Sequence, residues 1–145
     1  MAEKQLFIRP FQTEDEAAVV SLWQHCELTV PWNNPYKDIA RKLKVQPELF
    51  LVGMLDSLLI ATVMGGYDGH RGWINYLAVH PDFQGLGYAQ HMMVNVESEL
   101  RKIGCPKINL QIRSGNAKVM AFYQKLGFTD DRVLSMGKRL EEDHS

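Results

Sequence analysis

Residues 79–93 read VHPDFQGLGYAQHMM. A strand-like run ends at His80 and Pro81, Gly85 and Gly87 follow, and an amphipathic helix begins at once. Glycines in front of a helix let the chain turn tightly and leave the first amide hydrogens of that helix uncovered, pointing along its axis. The positive end of the helix dipole faces the same way, so the segment has the chemistry of an anion cradle.

Upstream, LFIRPF reads as a short strand. TEDEAAVVSLWQHC follows, with Thr13 as N-cap and Glu16 three residues on, the pattern of a capping box. Val19, Leu22, Trp23 and Cys26 share one face of that helix. VPWNNP breaks the pattern, Asn34 and Pro35 open a second helix through Ile39, Ala40 and Leu43, and Pro47 closes it. ELFLVGML and LLIATVMGGY form a hairpin around the turn DS, and DGHRG turns the chain into a further strand, WINYLAV.

Downstream, Ala89, Met92, Met93, Val96, Leu100 and Ile103 recur at helical spacing, and Gly104 has the place of a C-terminal cap. KINLQIR is a strand. Val119, Phe122, Tyr123 and Leu126 mark a shorter helix that Gly127 ends. FTDDRVLSMGKRL reads as final strand material around a turn, and the tail EEDHS as frayed. This order predicts an α+β fold, a mixed sheet with helices on both faces.

The 145 residues, 46% of them hydrophobic, suit a single domain, 1–145, with one core. With 16 basic and 17 acidic residues, the chain has no global electrostatic reason to bind nucleic acid or an acidic membrane. Cys26 and Cys105 match no metal-ligand spacing, and so few cysteines point to a reduced cytoplasm. The histidines lack ligand spacing as well, so no metal is expected. MAEKQLFIRPF has no long apolar run after its charges, and a run of about twenty apolar residues occurs nowhere, so a soluble protein is expected.

Three kinds of glycine-rich loop compete for residues 79–93. A nucleotide P-loop needs Gly-Lys followed by Ser or Thr, where this chain has Gly87 and Tyr88. A dinucleotide fingerprint needs a small residue three positions after Gly87, where Gln90 stands, and a βαβ setting in place of a meander. The third pattern, Gln/Arg-x-x-Gly-x-Gly/Ala, is met by QGLGYA through Gln84, Gly87 and Ala89.

Together with YLAVHP before it and NAKVMAFYQKLGF after it, that pattern resembles the GNAT superfamily of acetyl-CoA-dependent N-acetyltransferases over nearly the whole chain. MGGYDGHRG and LSMGKRL further resemble its small bacterial YpeA-like branch. The resemblance implies the acyl-CoA N-acyltransferase fold, a mostly antiparallel sheet flanked by helices. Backbone amides of Gln84, Gly85, Leu86, Gly87, Tyr88 and Ala89 would hold the pyrophosphate of coenzyme A. The strand WINYLAV would splay from KINLQIR, and Leu77, Ala78 and Val79 would pair with the pantetheine arm and polarise the thioester carbonyl, which makes Leu77 catalytic.

By the same resemblance Tyr123 occupies the place of the general acid and Asn116 contacts the cofactor arm. Read from the residues alone, Tyr123 is equally a core tyrosine and Asn116 a helix cap. Many relatives carry a glutamate two residues before the position of Leu77, but Asn75 stands there and asparagine cannot take a proton. Asp68 and His70 are the nearest ionisable candidates along the chain, or else simply a solvated Asp-Gly turn. Trp32 and Asn33 fall where the family builds its acceptor pocket, although a tryptophan packed beneath a loop is the commoner case. The expected activity is transfer of an acetyl group from acetyl-CoA to a primary amine, on a small molecule, a protein lysine or an N-terminus. The alternative is a non-catalytic acyl-CoA-binding sensor. A homodimer is an admissible assembly.

Overall fold

The computed structural model describes residues 5–143. Met1–Lys4 of the expected charged start, and His144 and Ser145 of the expected frayed tail, lie outside them. Backbone contacts divide the chain into two units, one running up to Asn109 together with Asp143, the other spanning residues 110–142.

The first unit opens with β1, Phe7–Pro10, and enters α1, Glu16–His25, through a tight turn at Thr13–Asp15. The reciprocal acid of that entry is Asp15, where Glu16 was expected. Its carboxylate takes the Gln12 amide at 2.8 Å and both guanidinium nitrogens of Arg9 at 2.7 and 2.9 Å. Arg9 projects from the neighbouring strand and selects the carboxylate that its two-pronged donor can reach. Helix α2, Pro35–Lys42, starts as expected, with the Asn34 side chain accepting the Tyr36 amide at 2.9 Å.

β2, Phe50–Leu55, β3, Leu58–Tyr67, and β4, Gly72–Val79, form the antiparallel meander. Helix α3, Tyr88–Lys102, follows, then β5, Ile108–Leu110. The five strands lie in sequence order in one sheet. Met64, Val52 and Phe50 pack with Trp23, Val19 and Ile39 of α1 and α2. Alternation turns Gly65 to the other face, where a Cβ would stand 2.6 Å from Val96 of α3. The sheet is thus covered on both sides, and glycine at that position lets α3 approach the backbone closely. At the end of α3, Gly104 adopts φ +87°, and the Cys105 amide reaches back to the Leu100 carbonyl at 3.1 Å, a Schellman closure.

The second unit is built on α4, Ala117–Lys125. Asn116 caps its start by accepting the Val119 amide at 3.2 Å, and Gly127, at φ +95°, closes it as the Phe128 amide bonds the Tyr123 carbonyl at 3.1 Å. Two expectations fail around it. KINLQIR is a strand only over Ile108–Leu110, and the residues of FTDDRVLSMGKRL include no strand. Strand propensity acts by packing one face of a ladder. Val133 and Leu134 are adjacent, so one of them would point away from any sheet, and both are exposed along with Met136 and Leu140.

Candidate active site

Thr62 stands opposite Ala78 and Met64 opposite Asn75, so Val63 alone faces both Tyr76 and Leu77. The extra residue is a β-bulge, and Tyr76 sits in it at φ +52°. A left-handed conformation strains a bulky residue by about 1–3 kcal/mol. What holds it is visible around the ring and the carbonyl. The Tyr76 ring stacks on Trp23 with centroids 3.7 Å apart, and its carbonyl accepts the Thr62 hydroxyl at 2.8 Å. Thr62 is fully buried and in turn accepts the Trp23 indole N–H at 2.9 Å. The bulge also changes the strand's phase. Asn75 and Ala78, three positions apart, have register partners Met64 and Thr62 that share one face.

Beyond the bulge, Ala78 and Val79 end β4 and a tight turn at Pro81–Phe83 leads into the glycines. His80 caps that turn by accepting the Asp82 amide at 3.1 Å. The Val79 carbonyl is held from two sides, by the Gln84 side-chain amide at 2.9 Å and the Cys26 thiol at 3.3 Å. Burial pushes the Cys26 thiol above its ordinary range, which keeps it a donor. Gln84 therefore spends its side chain tying the loop to the strand. Gly85 has φ +78° and Gly87 φ +89°, conformations that glycine adopts without cost. Gly87 is the N-cap of α3 and brings no side chain to the first-turn amides. Leu86 is exposed between the two glycines and Ala89 half-buried just inside the helix, while the Tyr88 ring is buried. The loop can thus offer backbone donors and the dipole of a 15-residue helix to an anion.

On the α1 and α2 side, Asn33 donates to the Asp38 carboxylate at 2.5 Å and to the Tyr76 hydroxyl at 3.1 Å, and Tyr76 donates to Asp38 at 2.7 Å. Burial, followed by the Asp38 carboxylate, raises the Tyr76 phenol above its ordinary pKa and keeps it protonated. Arg41 joins Asp38 at 3.2 Å and the carboxylate of Asp143 at 2.6 Å, and Asp143 also takes the Asn34 amide at 3.0 Å. Asp143 was expected to fray with the tail. Its fully buried side chain is held because two donors from the α2 region meet it.

Of the expected acceptor residues, Asn33 therefore meets the Tyr76 cluster. Trp32 is exposed beside it, and Asn75 is exposed on β4 directly before the bulge. Asp68 and His70 are not brought to this place. They form the turn between β3 and β4, with the Asp68 carboxylate accepting the His70 and Arg71 amides at 2.8 Å each. Those bonds, Arg71 first, lower the Asp68 pKa and make it a poorer base. Leu77 lies five positions along β4 from Gly72, ~16 Å at the usual strand rise. In the second unit, Tyr123 is buried edge-on to Phe122 and Phe128, and burial pushes its phenol up to about 12. Among the described residues no group of three His, Cys, Asp or Glu could hold a metal ion, and no helix is long and apolar enough to cross a membrane.

Trp23, Thr62 and Tyr76 carry no mark of this arrangement in the sequence. Trp23 and Thr62 looked like core and strand residues, and nothing in WINYLAV marks where a ladder slips. Asp38 and Arg41, three apart on α2, were the one legible signal.

The sequence profile of the Acetyltransferase (GNAT) family matches residues 9–128. An acetyltransferase of Yersinia enterocolitica is 47% identical over 136 residues, which are 94% of this chain and 96% of that protein. Among solved structures, Ard1 from Thermoplasma volcanium is similar at a TM-score of 0.74 and 25% identity, over 86% of this chain and 82% of its own. AAC(6')-Iy, in complex with the bisubstrate analog CoA-S-monomethyl-acetylneamine, is similar at a TM-score of 0.77 over 94% of this chain and 99% of its own. At 18% identity, that second likeness speaks to the fold alone.

Proposed function

The chain belongs to the acetyltransferase (GNAT) family, and from that premise we propose that it transfers the acetyl group of acetyl-CoA directly to a primary amine, as a single domain over 1–145. The observation that carries this reading is the succession, within one stretch of chain, of a bulge at Tyr76 and Leu77, a loop with two left-handed glycines, and a helix whose first turn has no side-chain cap. In this reading the first presents the Leu77 amide to a carbonyl. The loop and helix offer donors to a pyrophosphate.

In this reading the amides from Gln84 to Ala89 bind the pyrophosphate, and the backbone of Leu77, Ala78 and Val79 aligns the pantetheine arm. A neutral amine attacks the thioester carbon, and the Leu77 N–H stabilises the oxyanion that forms. The C–S bond then breaks, and the proton needed by the departing thiolate comes from Tyr123, with Asn116 positioning the arm. A phenol at about 12 is a weak acid, so its hydrogen bond to sulfur tightens as charge builds there before the proton passes, and solvent then reprotonates the phenolate. The acceptor docks beside Asn33, Trp32 and Asn75. With Asp68 and His70 at the far turn, the amine loses its proton to solvent. The second reading, an acyl-CoA sensor without turnover, rests on Asn75 standing beside the bulge in place of a base.

A screen of small amines, amino acid derivatives and lysine-containing peptides with acetyl-CoA, read by release of the CoA thiol, separates the two. Turnover with at least one amine class is expected. Tight acetyl-CoA binding with no acetylation at any pH favours the sensor, and absence of CoA binding overturns both.

A further inference from the structure

The peptide between Tyr76 and Leu77 is gripped at one end. Tyr76 contributes its carbonyl and Leu77 its N–H, and in a trans peptide these two groups point in opposite directions. The described backbone contains no cis peptide bond. The Thr62 hydroxyl on β3 holds the Tyr76 carbonyl at 2.8 Å. The Leu77 N–H consequently points away from Thr62, out of the β3 side of β4.

Donor and acceptor chemistry fixes the direction of this relay. Indole N–H can only donate, so Thr62 must accept from Trp23. Its single hydroxyl proton is then available for the Tyr76 carbonyl, which can only accept. Thr62 is 0% exposed, so water does not compete for either bond. The Tyr76 ring, stacked on the same Trp23, ties the two ends of the relay together.

We infer that Thr62, oriented by Trp23, is a positioning residue that sets the Tyr76–Leu77 peptide so that the Leu77 N–H meets the thioester carbonyl. This deepens the acetyltransferase reading and rests on it. Thr62 touches no substrate. Its effect is confined to the part of the ligand that carries the carbonyl, while the pyrophosphate cradle is independent of it.

The test compares acetyl-CoA with S-ethyl-CoA, a thioether of nearly the same shape that lacks the carbonyl. The unaltered protein is expected to bind the thioester about five- to tenfold more tightly, the worth of one hydrogen bond to that oxygen. Thr62→Val keeps the β-branched shape, removes the hydroxyl, and is expected to bring the two affinities together without weakening S-ethyl-CoA. Thr62→Ser should restore the preference. In a labelled sample of the unaltered protein, the Leu77 amide resonance should differ between the two complexes more than those of Trp73 and Ile74, a readout that needs no variant. A Thr62→Val protein that retains the preference, or a Leu77 resonance indifferent to the carbonyl, overturns the inference and leaves the acetyltransferase reading standing. If neither ligand binds the unaltered protein, both fall together.

Discussion

The carboxylate of Asp143 is fully buried against the Arg41 guanidinium, 2.6 Å from Nη2, although 102 residues separate them in sequence. The same carboxylate takes the Asn34 amide, the residue that caps α2. The segment before α2 is therefore held from both directions, by its own cap and by a residue from the chain's far end. Asp143→Ala leaves a guanidinium and an amide without this acceptor, and should cost about 1–3 kcal/mol in urea unfolding, less than a wholly buried pair because Arg41 is partly solvated. A loss within experimental error would mean that water replaces Asp143 freely.

At the entry to α1 the contribution is pH-dependent. The bond from Arg9, then that from the Gln12 amide, holds the Asp15 carboxyl below its ordinary range. The unfolded chain thus takes up this proton more readily than the folded one. Stability from Asp15 is present above the unfolded pKa of about 3.9 and is lost as pH falls through the lower folded value. Asp15→Asn should cost about 1–3 kcal/mol at pH 7, with the gap to the unaltered protein closing toward pH 3. A gap of equal size at both pH values would assign the loss to packing.

Gly87 has φ +89° and open space where a Cβ would stand. Gly87→Val therefore meets backbone strain of about 1–3 kcal/mol and no clash. The folded variant is expected to melt lower and to lose the stabilisation by CoA, which for the unaltered protein at a hundredfold excess over Kd is about 2.7 kcal/mol. NAD and ATP should have little effect on either protein. Normal CoA stabilisation of Gly87→Val would place the pyrophosphate elsewhere.

Tyr123→Phe removes one hydroxyl and keeps the ring that packs against Phe128. The turnover number should fall about a hundredfold while acetyl-CoA affinity stays near normal. Because burial pushes the phenol up to about 12, the pH profile of the unaltered enzyme should carry no Tyr123 inflection below pH 10. Unchanged turnover in a stable variant returns Tyr123 to a purely packing role.

An alkylamine with a pKa near 10.4 is neutral to only about one part in a thousand at pH 7.4. With the proton passing to solvent, the rate at subsaturating amine should rise with pH toward the amine's own pKa. Asp68→Asn and His70→Gln, at the distant turn, should leave that profile unchanged. An inflection in the histidine range that His70→Gln abolishes would count against solvent-mediated deprotonation.

Local chemistry made the order of elements through α4, the meander, the cap at Asn34, the glycine closures at Gly104 and Gly127, and the tight turn through Gly85 and Gly87 into α3 legible in the sequence by itself. Each depends on residues within a few positions of one another, where dihedral preference and short-range hydrogen bonding act. The shorter β5 and the missing strand after Phe128 were not legible, because a strand needs a neighbouring ladder that the strand's own residues do not specify. The bulge at Tyr76 is a difference in count between two strands, the buried Asp143 a meeting of the chain's end with α2, and the Trp23–Thr62–Tyr76 relay a contact among three elements. Only the tertiary structure decides such features, since a buried hydrogen bond is chosen by which partners remain in reach once the core has excluded water.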